Sequence, residues 1–125
     1  MFGSKDVETI VMSCIFCDIV SKKIKSQLVL ETDQLIAFKD IAPQAPLHLL
    51  VVPKKHIATL NDLGPDETPL LGSLFESVKR LAREFKVDQS GYRTVINCNA
   101  EGGQSVYHLH LHLLGGRQLG GSMVG

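Results

Sequence analysis

The alternation of apolar and polar residues divides the chain into short strands around one long helical stretch. Residues 28–31 and 35–38 are apolar runs separated by three polar residues, which predicts a β-hairpin. Residues 47–52 and 92–97 predict two further strands. In residues 108–113 histidine alternates with leucine, which predicts a fifth strand with one apolar face.

Two stretches have helical spacing instead. Residues 14–20 predict a short helix with one apolar side, and residues 68–86 predict a long one. Thr68 is expected to be the N-cap of the long helix, with Pro69 at the first helical position. The apolar side of the first helix consists of Ile15, Phe16, Ile19 and Val20, and that of the second of Leu70, Leu71, Leu74, Phe75, Val78, Leu81, Ala82 and Phe85. The element order predicts an α+β domain in which a helix covers one face of a five-stranded antiparallel sheet.

A chain of 125 residues is long enough for one domain with its own core. Residues 1–12 show little hydrophobic pattern and end at a second methionine, so we expect a flexible N-terminal extension before a single domain over residues 13–125. Two prolines make residues 40–46 a semi-rigid loop. Residues 117–125 form a glycine-rich tail.

Charge and hydropathy argue against several classes of protein. The 13 basic and 13 acidic residues balance, and the lysine clusters are short, so nothing indicates a nucleic-acid-binding surface. No run approaches the ~18–20 apolar residues of a membrane span, and the N-terminus lacks a secretory apolar segment, which favours a cytoplasmic protein. Three cysteines, Cys14, Cys17 and Cys98, indicate reduced thiols or a metal site and not a secreted disulfide framework.

The alternating histidines are the strongest indication of chemistry. Because every second residue of a strand points to the same face, His108, His110 and His112 are expected on one face. Imidazole titrates near neutral pH, attacks phosphorus and binds metals, so the pattern indicates a zinc site or a nucleophilic imidazole between two helpers. The preceding residues 102–105, Gly-Gly-Gln-Ser, bring unhindered backbone N–H groups and a hydroxyl to the strand, which favours a phosphate ligand.

Several motifs in one order resemble the histidine triad superfamily of nucleotide hydrolases and transferases, most closely its nucleoside phosphoramidase branch. The triad, His-φ-His-φ-His-φ-φ, spans residues 108–114. The other matching segments are residues 38–46 (FKDIAPQAP), His48 with residues 52–57 (VPKKHI), residues 102–107 (GGQSVY) and residues 115–118 (GGRQ). The resemblance covers residues 14–118.

The resemblance implies a homodimer whose two five-stranded sheets join into one ten-stranded sheet. It also implies hydrolysis of adenosine or guanosine 5′-phosphoramidates to the nucleoside monophosphate and an amine, with no metal required. By this resemblance His110 is the nucleophile that forms a nucleotidyl-imidazole intermediate, and His112 and Ser105 contact the phosphate and the leaving amine. His48 and His108 support the site. Because His48 lies on another strand, spacing does not show whether it reaches the triad, and a core histidine is the alternative.

The resemblance further implies a nucleotide-binding surface. Asp40 is expected on the ribose hydroxyls, since a carboxylate can accept two hydrogen bonds. The residues implied around the base are Ile15, Phe16, Ile19, Phe38, Ile41 and Leu50, each of which core packing would also explain. Those implied on the phosphate side are Asn97, Gly103, Gln104, Ser105 and Val106, with His110 and His112.

Two features depart from the phosphoramidase pattern. The tail after Gln118 has no aromatic residue, whereas this branch often ends in a tryptophan-containing segment, so the sequence does not indicate which amine is preferred. Cys14-x-x-Cys17 resembles bacterial members in which such a pair binds zinc with histidines. We expect Cys14, Cys17, His48 and His108 to form one structural zinc site. The alternative is two ordinary cysteines in an apolar helix.

Two other functions are consistent with the sequence. One is a dinucleoside polyphosphate hydrolase of the same superfamily, which differs in substrate. The other is a nucleotide-binding or zinc-binding interaction module with vestigial activity.

Overall fold

The computed structural model describes residues 14–121, which form a five-stranded antiparallel sheet and two α-helices. In chain order the elements are helix α1 (Ile15–Val20), strands β1 (Leu28–Glu31), β2 (Leu35–Lys39) and β3 (Leu47–Pro53), helix α2 (Thr68–Glu84), and strands β4 (Tyr92–Val95) and β5 (Leu111–Gly115). Two 3-10 turns, Leu60–Asp62 and Pro65–Glu67, precede α2. The strand order is β1-β2-β3-β5-β4, which confirms the predicted fold class. The expected extension at residues 1–12 lies outside the described residues.

The sheet has a hydrophobic core on each face. On one face α2 contributes Leu74, Val78, Leu81 and Ala82, which pack in one cluster with Leu49, Val51, Leu111 and Leu113. On the other face α1 contributes Phe16 and Ile19, which pack with Ile36, Phe38, Leu50 and Val52. The apolar stripe of α2 is narrower than predicted, because Phe75 is 42% exposed. Over residues 14–121, neither helix has the length and hydropathy needed to cross a membrane.

The predicted alternation of the histidine segment is confirmed. Its leucines at 109, 111 and 113 are buried in the α2 core, whereas the rings of His108 and His110 lie 5.9 and 5.0 Å from the ring of Phe16 in α1. Strand pairing, however, begins only at Leu111, so the prediction of a strand from residue 108 is wrong in extent. Pairing with β3 stops at the pair Val51–Leu111, and the N–H of Leu109 donates instead to the carbonyl of Ile57 at 2.7 Å.

Three other boundaries differ from the predictions. Thr68 is the first helical residue of α2 and not its N-cap, since its hydroxyl donates to the carbonyl of Pro65 at 3.2 Å. The helix ends at Glu84, two residues early, and Lys86 adopts a left-handed conformation with a φ of 62°. Strand β4 ends at Val95, opposite His112, which leaves Asn97 in the glycine-containing loop before the triad.

Candidate active site

His110 is buried and held in one orientation by the backbone. Its Nδ1 lies 2.8 Å from the carbonyl oxygen of His108. Because a carbonyl only accepts, Nδ1 carries the proton and the lone pair of the ring is on Nε2. Burial lowers the pKa of His110, so the ring is neutral at pH 7. A neutral imidazole with its lone pair on a known atom is suited to nucleophilic attack.

His48 and His112 share a hydrogen bond between β3 and β5, so His48 does reach the triad. Nδ1 of His48 accepts the backbone N–H of Gln44 at 3.0 Å, which requires the proton of a neutral His48 to be on Nε2. That Nε2 lies 2.9 Å from Nδ1 of His112. His112 therefore accepts with Nδ1 and carries its own proton on Nε2. The tautomers of both rings follow from one backbone N–H.

Burial also sets the charge of this pair. It lowers the pKa of His112 to about 4, with smaller contributions from His110 and His48, and it lowers the pKa of His48. The carboxylate of Asp40 opposes both effects, and its Oδ2 is 3.5 Å from Nε2 of His48. Both rings are neutral at pH 7, and an anion bound beside them would raise the pKa of His112. Because each Nδ1 already accepts a hydrogen bond, the pair is arranged to pass a proton from His48 through His112 to a ligand.

A separate group of ligand atoms surrounds the ring of His108. Nε2 of His108 lies 2.8 Å from the carbonyl of Pro53, so it is the N–H and Nδ1 has the lone pair. Nδ1 is 3.4 Å from Sγ of Cys14, 3.5 Å from Sγ of Cys17 and 3.2 Å from Nδ1 of His56. Tetrahedral zinc, with bonds of about 2.0–2.3 Å, separates its ligand atoms by about 3.3–3.8 Å. The donor set and its spacing therefore fit zinc.

The structure places His56, and not His48, in this group. The assignment of His48 as a zinc ligand is wrong because its Nδ1 accepts the N–H of Gln44 and its Nε2 bonds to His112. A metal on Nε2 would require a proton on Nδ1, which would then face the N–H of Gln44. Asp40, His48 and His112 also lie within reach of one ion, but the same argument makes them a hydrogen-bonded set. His56 lies in the segment VPKKHI that resembles the family, but nothing in the sequence indicated a zinc ligand there, because its position depends on the bend after β3.

The glycine-containing loop uses most of its backbone donors internally. The N–H groups of Gly102, Gly103 and Gln104 donate to the carbonyls of Asn99 and Ala100, so the expected row of unhindered N–H groups is largely occupied. Glycine is required at position 102, because a Cβ there would overlap the carbonyl oxygen of Cys98. Ser105 is exposed, so its hydroxyl is accessible to a ligand.

Gln104 faces inward and braces this loop. Its Oε1 accepts the N–H of Asn99 at 2.8 Å, and its Nε2 donates to the carbonyls of Ala58 at 2.8 Å and Val106 at 3.0 Å. The residue is buried, with 7% of its surface exposed. Both amide protons and the amide oxygen are already bonded, so the side chain holds the loop instead of lining the phosphate side as predicted.

Comparisons with known proteins show the family to which this chain belongs. Residues 13–123 match the family model described as scavenger mRNA decapping enzyme C-term binding. The purine nucleoside phosphoramidase of Escherichia coli (strain K12) is 42% identical over 106 residues, which are 85% of this chain and 89% of that protein. The crystal structure of a HIT family hydrolase from Legionella pneumophila is 51% identical, with a TM-score of 0.83, and the match covers 85% of this chain and 95% of that one. A histidine triad protein from Clostridium difficile is 43% identical, with a TM-score of 0.85 and coverage of 87% and 95%. This chain belongs to the histidine triad family.

In this histidine triad protein the residues expected around a base fall into two groups. Phe16, Ile19, Phe38 and Leu50 are buried in the α1 core, and core packing accounts for them. Ile15 and Ile41 are 47% and 95% exposed, which core packing does not explain. These two isoleucines leave apolar side chains accessible to a ligand.

The polar residues expected on the nucleotide already hold neighbouring backbone groups. Oδ1 of Asp40 accepts the N–H of Ala42 at 2.8 Å, and Nδ2 of Asn97 donates to the carbonyl of Gly102 at 2.7 Å. Oδ2 of Asp40 and Oδ1 of Asn97 can each still accept a hydrogen bond. Val106 is half-buried and packs against the α1 core.

Proposed function

We propose that this histidine triad protein hydrolyses purine nucleoside 5′-phosphoramidates to the nucleoside monophosphate and an amine. The observation that carries the proposal is the tautomer of His110, whose proton is held on Nδ1 by the carbonyl of His108 and whose Nε2 is left as a nucleophile. The name of the 42% identical Escherichia coli relative, purine nucleoside phosphoramidase, supports the substrate class.

The reaction takes two displacements at phosphorus. In the first, Nε2 of His110 attacks, the P–N bond to the amine breaks, and the leaving nitrogen takes the proton on Nε2 of His112 while Nδ1 of His112 takes the proton of His48. In the second, water attacks phosphorus, the bond from phosphorus to His110 breaks, and the proton of the water passes to Nε2 of His112 while Nδ1 returns its proton to His48. All three rings return to their starting states. One difficult displacement is thereby divided into two easier ones.

Other side chains support this chemistry. His48 keeps Nδ1 of His112 as an acceptor, so that the proton of His112 is on the nitrogen that can face the substrate. The exposed hydroxyl of Ser105 donates to a phosphate oxygen. Oδ2 of Asp40 accepts a ribose hydroxyl, and Ile15 and Ile41 provide exposed apolar surface for the base.

The decisive experiment gives the purified protein adenosine 5′-phosphoramidate and a diadenosine polyphosphate in parallel assays. We expect turnover of the phosphoramidate to AMP, abolished in His110→Ala, which should still bind AMP because the nucleophile acts chiefly in the transition state. Preference for the polyphosphate would identify a polyphosphate hydrolase instead. Binding of AMP with turnover of neither would identify a nucleotide-binding module.

The covalent step needs its own measurement. Wild-type protein denatured rapidly during turnover should carry one nucleotidyl group on His110 by peptide mass spectrometry. His110→Ala is the control that should carry none. Full turnover by wild-type protein without this adduct would remove the intermediate from the mechanism.

We also propose that Cys14, Cys17, His56 and His108 bind one structural zinc ion. Four protein ligands leave no open position, so the ion would link α1 to the segment that carries His110 without entering the reaction. Elemental analysis should find one zinc per chain, lost in His56→Gln and retained in the matched control His48→Gln. A chelator should lower the melting temperature of the wild-type protein. If zinc were lost in His48→Gln and kept in His56→Gln, His48 and not His56 would be the ligand. Metal-free wild-type protein of full stability would contradict the proposed zinc site.

A further inference from the structure

The loop that follows β2 has little packing beneath it. Of residues 41–46, only Ala45 is buried. A cavity of about 320 Å³ is lined on the loop side by Asp40, Pro43 and Pro46, and on the other side by Phe85 and Val87 near the end of α2. Since no filled core fixes the loop, its position depends on a few hydrogen bonds and close contacts.

The segment that follows β5 contacts this loop at two points. Nη2 of Arg117 donates to the carbonyl of Gln44 at 3.0 Å, while Nη1 donates to the carbonyl of Gln118 at 2.9 Å. Gly116, with a φ of +94°, brings the backbone so close that a Cβ there would lie 3.0 Å from Cβ of Pro46. The loop is therefore attached to the end of the triad strand.

Gln44 connects this attachment to the active site. Its carbonyl receives Arg117, and its N–H is the group that fixes the tautomer of His48 at 3.0 Å. His48 in turn directs its proton to His112 at 2.9 Å. If Gln44 moved, His48 could take either tautomer, and His112 would no longer be held with its proton on Nε2.

We propose that Arg117 is a positioning residue that holds residues 43–46 so that Gln44 keeps His48 and His112 in the tautomers needed for proton transfer. Arg117 touches neither substrate nor reacting atoms and acts through Gln44. The kinetic consequence rests on the proposed function, whereas the tautomer of His48 is a property of the free protein. The two can therefore be tested separately.

The test compares Arg117→Ala with Arg93→Ala. Arg93 is a matched control, because it also donates to a backbone carbonyl of the C-terminal segment, that of Gly120 at 2.8 Å, and has no hydrogen bond to the loop. Ring nitrogen-15 NMR of the free wild-type protein should show His48 protonated on Nε2 alone. In Arg117→Ala we expect a mixture of tautomers and a kcat about three- to tenfold lower, the rate equivalent of one hydrogen bond, with a smaller change in KM. Arg93→Ala should match the wild type in both.

Two results would overturn the inference. One is an Arg117→Ala protein whose His48 signals and kcat equal those of Arg93→Ala. The other is an equal loss in both variants, which would indicate general loosening of the C-terminal segment. If the wild-type protein hydrolyses no phosphoramidate, the proposed function fails, but the His48 signals still decide whether Arg117 positions the ring.

Discussion

Acidification should destabilise this protein through His112. The pKa of this ring falls from 6.5 to about 4 in the folded protein, chiefly because it is buried. Between these values the unfolded chain binds a proton that the folded chain does not, so stability falls as the pH falls. The contribution of His112 is complete above pH 6.5 and is lost progressively toward pH 4. One pKa unit is worth about 1.36 kcal/mol, so the loss approaches about 3 kcal/mol.

The measurement compares the free energy of unfolding of the wild-type protein and of His112→Gln in urea, between about pH 7.5 and 4.5. Burial also lowers the pKa of His48, His108 and His110, so both proteins should lose stability in acid. Only the wild type should lose the contribution of His112. The difference between the two proteins should therefore change by about 2–3 kcal/mol across this range, in favour of the variant at low pH. Parallel curves would refute the reasoning, because they would mean that His112 titrates alike in both states.

Three further predictions concern ribose recognition, the glycine-containing loop and assembly. Asp40→Ala should weaken AMP binding by about 1–3 kcal/mol in calorimetry through the loss of charge-assisted hydrogen bonds, and an unchanged affinity would place ribose recognition elsewhere. Gln104→Met should raise KM and lower the melting temperature, and its effect should be less than additive with that of Ser105→Ala. Additive effects would show that the side chain of Gln104 does not position Ser105. The two edge strands of the sheet within residues 14–121 are β4 and β1, and β1 is interrupted by a bulge. We therefore expect a homodimer in which the outer edge of β4 pairs with the partner. Sedimentation showing only monomer at micromolar concentration would contradict this.

Features that depend on local periodicity could be predicted from the sequence. The alternation of histidine and leucine correctly assigned each side chain of the triad segment to a face, because a strand-like backbone has a period of two whether or not it is paired. The start of pairing at Leu111 could not be predicted, since the N–H of Leu109 bonds instead to the carbonyl of Ile57, which is distant in the sequence.

Features that depend on contacts between distant segments could not be predicted. Whether His48 or His56 is the zinc ligand beside the two cysteines depends on the direction of the N–H of Gln44, which bonds to His48. Gln104 resembles a phosphate ligand by its place in the sequence, but the carbonyl of Ala58, 46 residues away, occupies its amide. Neither the N–H of Gln44 nor the carbonyl of Ala58 can be recognised as a hydrogen-bond partner from composition or spacing.

The order of the strands has a consequence for how the protein is made. β5 is the last strand along the chain, yet it lies between β3 and β4 in the sheet. As the polypeptide emerges from the ribosome, β4 therefore has no neighbour to pair with until β5 follows it. The segment that completes the sheet also carries the last histidine of the triad. A chain interrupted before residue 111 would therefore lack both strand β5 and His112. Nascent or truncated copies would thus be unable to carry out the proposed reaction.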